Sequence, residues 1–366
     1  MTLDETNNCN IIDTLIKENR SFALWRIPGD KIRFALQTSG SARLLYRIED
    51  LDEQSGFVIA PYHVSQEQPI VLIRPDLEEI PSEWEQKSFS KEQKISTSKT
   101  DFSCTTDNKR DYFYRFKLFI DPLQNKEFDK LVLSRHQIIQ READLSPASI
   151  FYKACKQYQY SYIYLCHTPE TGTWLGCTPE IILSGEKGAW HTVALAGTQP
   201  LQNGVLPTVW DQKNQEEQEY VAYYIRKQLQ ALGIQPTESA PTPVRAGELS
   251  HLRSDFSFAL PDNQKLGNLL KRLHPTPAVC GLPKDKAYDF ILSNEGYNRR
   301  YYSGFIGRLD PNGKSDLYVN LRCMHILPET LVLYAGSGIL TSSESESEWL
   351  ETEAKMQTMK RLLNNN

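Results

Sequence analysis

Four charged residues in the stretch SSESESEWLETEAKMQTMKRLL stand out for their spacing. Glu344, Glu348, Glu351 and Lys355 are separated by four, three and four positions, which puts them on one face of a helix. Three stacked carboxylates repel one another unless a cation or water neutralises them. The stripe is therefore either a solvated acidic face or part of a Mg²⁺ site, because Mg²⁺ takes oxygen ligands and often needs only one or two carboxylates beside an anionic substrate. A second acidic group, Glu216, Glu217 and Glu219, opens another helical stretch. If both helices faced one cleft, they could share one metal.

Other single residues could add acid–base and anion-binding chemistry. Lys130 starts the strand-like KLVLSR. A lysine there is either solvated at a strand edge or, if desolvated or close to a cation, able to serve as a general base. Glu180 follows a proline and begins the apolar IILS. It is either a solvated turn glutamate or, if partly buried, a carboxyl of raised pKa suited to act as an acid. Arg322 interrupts the largely apolar VNLRCMHI, where a guanidinium needs either an internal ion pair or a ligand carboxylate. Gly336 and Gly338 in YAGSGIL would let backbone amides approach an anion, or would mark a β-bulge.

The elements that must position these groups follow from pattern. WDQKNQEEQEYVAYYIRKQLQALG predicts a helix, with Val221, Ile225 and Leu229 in phase and Gly233 at its end. ASIFYKACKQY is also helical in pattern. The stripe-bearing segment at the C-terminal end of the sequence is a third helix, with Ser343 and Glu346 as a capping box and Lys360 and Arg361 in its last turn. SYIYLCHT, GTWLGCTPEIILS, WHTVALAGTQ, YYSGFIGRL, DLYVNLRCMHI and TLVLYAGSGIL read as strands. Short turns such as DPNGKSD favour antiparallel pairing. The expected class is α+β, with large antiparallel sheets and helices packed outside. A polar stretch at about 86–110 reads as a flexible loop. It separates an N-terminal part (1–110) from the region 111–366, and the two are expected to form one structural domain.

LHPTPAVCGLPKDKA, residues 273–287, is different in kind. Its three prolines fix φ, remove donors and push the residues before them out of the helical region, so it predicts a stiff loop.

Composition narrows the class of function. The 366 residues carry a formal net charge of -5, with 40% hydrophobic and 24% charged residues, as expected of a soluble globular protein. The chain has no basic stripe for nucleic acid, no run long enough to span a membrane, and an acidic start unlike a signal peptide. The cytoplasm is the expectation. Seven scattered cysteines, none in a C-x-x-C pair, point to buried free thiols.

Taken in order, KLVLSR, TPEIILS, ALAGTQP, LHPTPAVCGLPKDKA, EGYNRRYYSG, VNLRCMHI, YAGSGIL and EWLETEAK resemble the chorismate-utilising enzymes, and within them the isochorismate synthase branch. The resemblance runs from about Lys130 to Lys360. It implies two large antiparallel sheets packed together with helices outside, and a Mg²⁺-dependent cleft. It implies that Lys130 activates water and Glu180 protonates the departing hydroxyl. It also implies that Glu217 and Glu351 bind the metal with Glu348 close by. The substrate-binding positions it implies are Thr198, Tyr302, Arg322, Gly336, Gly338 and Lys355, with Ala278 and Val279 of the proline-rich loop against the ring. His274 is expected near the departing hydroxyl or as a support for its neighbours.

The substrate implied is chorismate, hydrated at C2 with loss of the C4 hydroxyl. The His-Pro-Thr-Pro-Ala pattern points to water rather than ammonia as nucleophile, so no glutamine amidotransferase partner is implied, and a monomer is expected. Menaquinone and siderophore pathways both use such a product, with a lean towards menaquinone. Salicylate synthase, which goes on to eliminate pyruvate, and a non-catalytic chorismate-binding relative are the alternatives. Gln199, Arg300, Phe305 and Thr178 depart from the family's usual residues.

Overall fold

The structure is a computed structural model, and it describes residues 2–81, 107–246, 249–260 and 266–364. Seven helices are described: α1 (Leu3–Lys17), α2 (Lys109–Gln124), α3 (Pro147–Gln157), α4 (Gln212–Ala231), α5 (Leu266–Leu273), α6 (Lys284–Asn294) and α7 (Ser345–Leu363). The strands of the first third are β1 (Phe22–Arg26), β2 (Ile32–Leu36), β3 (Arg43–Leu45), β4 (Gly56–Ala60) and β5 (Ile70–Ile73). The middle of the chain adds β6 (Lys130–Gln140), β7 (Tyr162–Thr168), β8 (Gly172–Thr178), β9 (Ile181–Glu186), β10 (Ala189–Pro200), β11 (Thr237–Glu238), β12 (Thr242–Ala246) and β13 (Leu249–Ala259). The last five are β14 (Gly281–Leu282), β15 (Phe305–Leu309), β16 (Lys314–Val319), β17 (Cys323–Ile326) and β18 (Thr330–Ile339).

These strands form two antiparallel sheets. One has eight strands in the order β14-β6-β18-β17-β8-β7-β1-β2. The other has ten, β11-β13-β10-β9-β16-β15-β4-β5-β3, with β12 on β13. The first third is woven into both, since β1 and β2 join the first sheet and β3 to β5 the second. The predicted α+β class with large antiparallel sheets is what forms.

Alternation along the strands explains the layering. In β7, Tyr162, Tyr164 and Cys166 join an aromatic-rich core with Phe57 and Tyr318 of the ten-stranded sheet. Ile163 and Leu165, one residue out of phase, pack with α1 and α3 residues such as Leu15 and Phe151. The eight-stranded sheet is thus buried on both faces, and its strands lack the polar-out pattern of a solvated sheet.

Several local expectations are met and some are corrected. Gly233 takes φ +74° just past α4, as its position predicted. The six described cysteines are free and buried. Cys104 and most of the polar stretch 86–110 lie outside the described residues. Its end is helical, because Asn108 caps α2 by accepting the Asp111 N–H, so Lys109 and Arg110 are not loop.

The capping box predicted for α7 does not form. Glu344 is the N-cap without a side-chain cap; Ser343 Oγ instead accepts the Leu340 N–H, and Glu346 pairs with Lys109. The proline-rich stretch is a loop only to Cys280. Gly281–Leu282 then form the short β14, and Lys284 begins α6 behind Pro283, where a missing N–H costs nothing.

Candidate active site

Lys130 is not an edge lysine. It begins β6, and the two-residue β14 pairs directly on it, Leu282 opposite Lys130. The tail of the proline-rich segment therefore buries it, and its exposure is 0%. Its Nζ lies 2.9 Å from Glu217 Oε1, 87 residues away. Gly338 makes room for this pair: a Cβ there would collide with Glu217 Oε1 and stand 3.0 Å from Lys130 Cε. Gly338→Ala is expected to lower stability by about 1–3 kcal/mol through overpacking and to cut turnover at least tenfold. Thermal melts and steady-state rates check this.

Glu217 owes its place to the periodicity of α4. Glu217, Val221, Ile225 and Leu229 recur every four residues, and all are buried. Glu216 and Glu219 fall out of phase and are exposed. Burial pushes the Glu217 carboxyl up, but Lys130, Lys213 and Lys355 outweigh it and hold the group below its ordinary range.

Glu180 stands across from this wall, just before β9, and is 2% exposed. It accepts one hydrogen bond, from Thr276 Oγ1 at 3.0 Å. Burial raises its pKa from 4.5 to about 7, against that bond and the charges of Lys130 and Lys355. A carboxyl that keeps a proton near neutrality can donate it.

Arg322 lies not inside a strand but on the crossover from β16 to β17, where the chain leaves one sheet for the other. Its φ of +46° is a left-handed conformation that few side chains adopt. No carboxylate pairs with it among the described residues. Nη1 donates to Ala246 O and Nη2 to His251 Nε2, each at 2.5 Å. A guanidinium only donates, so Nε2 must accept and Nδ1 carries the proton, directed to Gly197 O at 2.9 Å. Burial and the Arg322 charge keep His251 neutral by pushing its pKa down. Burial lowers Arg322 to about 10, which leaves it charged at neutral pH.

Thr198 is fixed by the same region. Its N–H donates to Asn214 Oδ1 at 2.7 Å, and Asn214 is held in turn by the α4 N-cap Asp211. The bulge in β10 at Gly197, with φ +73°, lets the strand approach that helix start.

Gly336 and Gly338 sit opposite Ser134 and Val132 of β6. Those partners turn their N–H groups away from β18, to Glu295 and to Cys280 O. The two glycine amides therefore also point away from β6. On that free edge Lys355 Nζ donates to Gly336 O at 2.9 Å and to Glu351 Oε1 at 2.7 Å.

These groups meet in a cleft with walls from both sheets. Of the positions expected from the sequence, Glu180, Thr198, Glu217, Ala278, Val279, Tyr302, Arg322, Gly336 and Lys355 line it. Lys130 and Gly338 lie directly behind Glu217. Glu351 adjoins Lys355, and Glu348 is reached through Lys213.

His274 is not on the cleft wall. Its ring packs edge-on to Phe305 at 5.2 Å, with Nε2 3.2 Å from Tyr62 O, and burial lowers its pKa to about 3. It supports the loop from behind. Glu344 is exposed and takes no part in the carboxylate face.

Sequence reasoning missed His251, Lys213 and Thr276. Lys213 was findable, because it stands four residues before Glu217 in the same helical row. For His251 and Thr276 no local pattern distinguishes them from core polar residues.

Glu217, Glu348 and Glu351 are a hard-oxygen set suited to Mg²⁺. Glu348 is 1% exposed, with Oε1 2.6 Å from Lys213 Nζ and Oε2 buried without a hydrogen-bond partner among the described residues. Burial and the Glu351 charge push its carboxyl up. Among the described residues no three such side chains already converge as ligands. The donor chemistry and the orphaned oxygen nevertheless fit a divalent cation at this wall.

The family profile described as "Chorismate binding enzyme" matches residues 50–364. The chain belongs to the chorismate-binding enzyme family. It is 29% identical over 255 residues to the salicylate biosynthesis isochorismate synthase of Pseudomonas aeruginosa, covering 67% of this chain and 52% of that protein. It is 28% identical over 244 residues to isochorismate synthase EntC of Escherichia coli, covering 64% and 62%. With isochorismate synthase MenF of Escherichia coli it shares 32% over 251 residues, covering 65% and 56%. The matched part thus spans 52% to 62% of the length of these curated relatives.

Among solved structures, DhbC from Bacillus anthracis superposes with a TM-score of 0.78 at 22% identity, over 97% of this chain and 100% of that one. MenF from Escherichia coli gives 0.75 at 21%, over 96% and 91%. Both establish the shared fold. No described helix is long and apolar enough to cross a membrane.

Proposed function

We propose that this chorismate-binding enzyme is an isochorismate synthase, converting chorismate reversibly to isochorismate. One observation carries the reading: a buried carboxyl that holds its proton near neutral pH, Glu180, shares a cleft with a buried guanidinium, Arg322, that pairs with no carboxylate among the described residues. A dianionic substrate that must lose a hydroxyl needs both. The isochorismate synthase names of the relatives support the same choice.

In this reading Arg322, Tyr302 and the amides at Gly336 and Gly338 receive substrate carboxylate, and Ala278 and Val279 present an apolar surface to the ring. Lys130, once its own ammonium proton has passed to solvent, takes a proton from the water whose oxygen bonds to C2. Glu180 gives a proton to the C4 hydroxyl, which departs as water as the double bonds shift. One water enters and one leaves, so substrate and product are isomers. Mg²⁺ held by Glu217 and Glu351, with Glu348 beside them, would neutralise the ring carboxylate and spread charge developing on the ring system. The protein is proposed to act as a cytoplasmic monomer without an amidotransferase partner, supplying a menaquinone or siderophore pathway.

Incubation with chorismate and Mg²⁺, followed by chromatographic identification of products, tests the reading. Isochorismate is expected, with the same mixture reached from either side. Salicylate and pyruvate as the main products would replace this reading with salicylate synthase, and binding without turnover would point to a non-catalytic relative. EDTA is expected to stop the reaction and Mg²⁺ to restore it; undiminished turnover in metal-free buffer would remove the metal from the proposal.

A further inference from the structure

Glu295 and Arg299 form a buried ion pair, 1% and 3% exposed, that the proposed reaction does not use. Nε and Nη2 of Arg299 each lie 2.6 Å from a Glu295 carboxylate oxygen. Such a pair adds little net stability, because desolvation offsets its attraction. Its other hydrogen bonds show what it joins. Arg299 Nη1 donates to Val279 O at 2.6 Å, and Nη2 donates to Val132 O at 2.9 Å. Glu295 Oε1 accepts from the N–H and Oγ of Ser134, at 2.7 and 2.8 Å. The guanidinium lies 4.4 Å over the Tyr62 ring, which fixes its plane.

Val279 and Val132 both line the cleft, one from the proline-rich loop and one from β6. Val132 is two residues from Lys130, so both side chains leave β6 on the same face. One planar fork therefore spans from the apolar wall to the strand that carries the base. The loop's other end is tied separately, by Lys284 Nζ on His274 O at 2.6 Å. Only a guanidinium presents several donors in one rigid plane; an ammonium cannot hold two carbonyls and a carboxylate at fixed spacing.

We propose that Arg299, oriented by Glu295, is a positioning residue that sets the Ala278–Val279 wall against Lys130, and so governs the chemical step more than substrate affinity. The assignment rests on the reading of this cleft as the chorismate site.

Arg299→Lys and the milder Glu295→Gln test it in the full chain. Each is expected to keep its circular dichroism spectrum and a KM for chorismate within about threefold of wild type. Expected kcat losses are about 10- to 100-fold, the scale of a misplacement near 1 Å. Hydrogen–deuterium exchange supplies a readout independent of turnover: peptides from residues 274–282 should exchange at least about tenfold faster, while those from 162–178 stay unchanged. A folded variant with wild-type kcat and unchanged loop exchange would overturn the proposal. If the wild-type protein itself does not turn over chorismate, the functional reading fails instead. Exchange then decides alone: loosening confined to the loop supports the strut, and unchanged exchange rejects it.

Discussion

Replacing Lys130 with alanine is expected to lower kcat about 10³-fold, the range for loss of a general base. It should also lower stability, because Glu217 is left buried without the ammonium 2.9 Å away. Breaking a buried pair costs about 3–5 kcal/mol. The lower end is expected here, since Lys213 and Lys355 also hold Glu217 in its charged form. The two effects separate cleanly: rates measured well below the variant's melting temperature report the chemistry, and the melting temperature reports the pair. A folded Lys130→Ala protein with more than about a tenth of wild-type kcat would remove Lys130 from the role of base.

Glu180→Gln is expected to cost a similar factor, about 10²- to 10⁴-fold in kcat, because the amide keeps the shape and the Thr276 bond but has no proton to give. Its signature is in pH. The fold raises the Glu180 pKa from 4.5 to about 7, so the folded state favours the neutral carboxyl. That contribution is complete below about 4.5, where folded and unfolded chains are both protonated. Above 4.5 the unfolded chain ionises first, and stability drains away until the pH passes 7. The loss is at most about 3 kcal/mol.

Glutamine does not titrate, so the stability of Glu180→Gln relative to wild type should improve steadily between those pH values and level off above them. Thermal melts across that range read it directly. Any step that Glu180 imposes on kcat/KM near pH 7 should vanish in the variant. A constant stability difference across the range would show that Glu180 is not held neutral.

Much of the architecture was legible from local pattern. The strand segments in the last two thirds alternate or run apolar as strands do, and α4 was legible from Val221, Ile225 and Leu229 with Gly233 beyond. The same row extended backwards reaches Glu217 and Lys213, so periodicity alone separates the buried carboxylate from exposed Glu216 and Glu219. Glu180 was legible as a carboxyl at the head of an apolar strand. The start of α2 was hidden because its cap, Asn108, sits at the end of a polar stretch that reads as loop throughout. The α7 cap was misread because Ser343 found a closer donor in Leu340 N–H.

What local chemistry settled is periodicity: which residues share a helix face, which alternate along a strand, and where prolines stiffen the chain. It could not settle which faces meet. Lys130 reads as an edge lysine until β14, some 150 residues later, pairs over it. Arg322 reads as a strand residue until the crossover between sheets turns it, with φ +46°, towards His251. His274 sits in the same proline-rich loop as Ala278 and Val279, yet the loop's path puts its ring behind the wall that they form. In each case the deciding contact joins distant parts of the chain. Its free energy comes from burying groups that are far apart in sequence, and no local pattern encodes that choice.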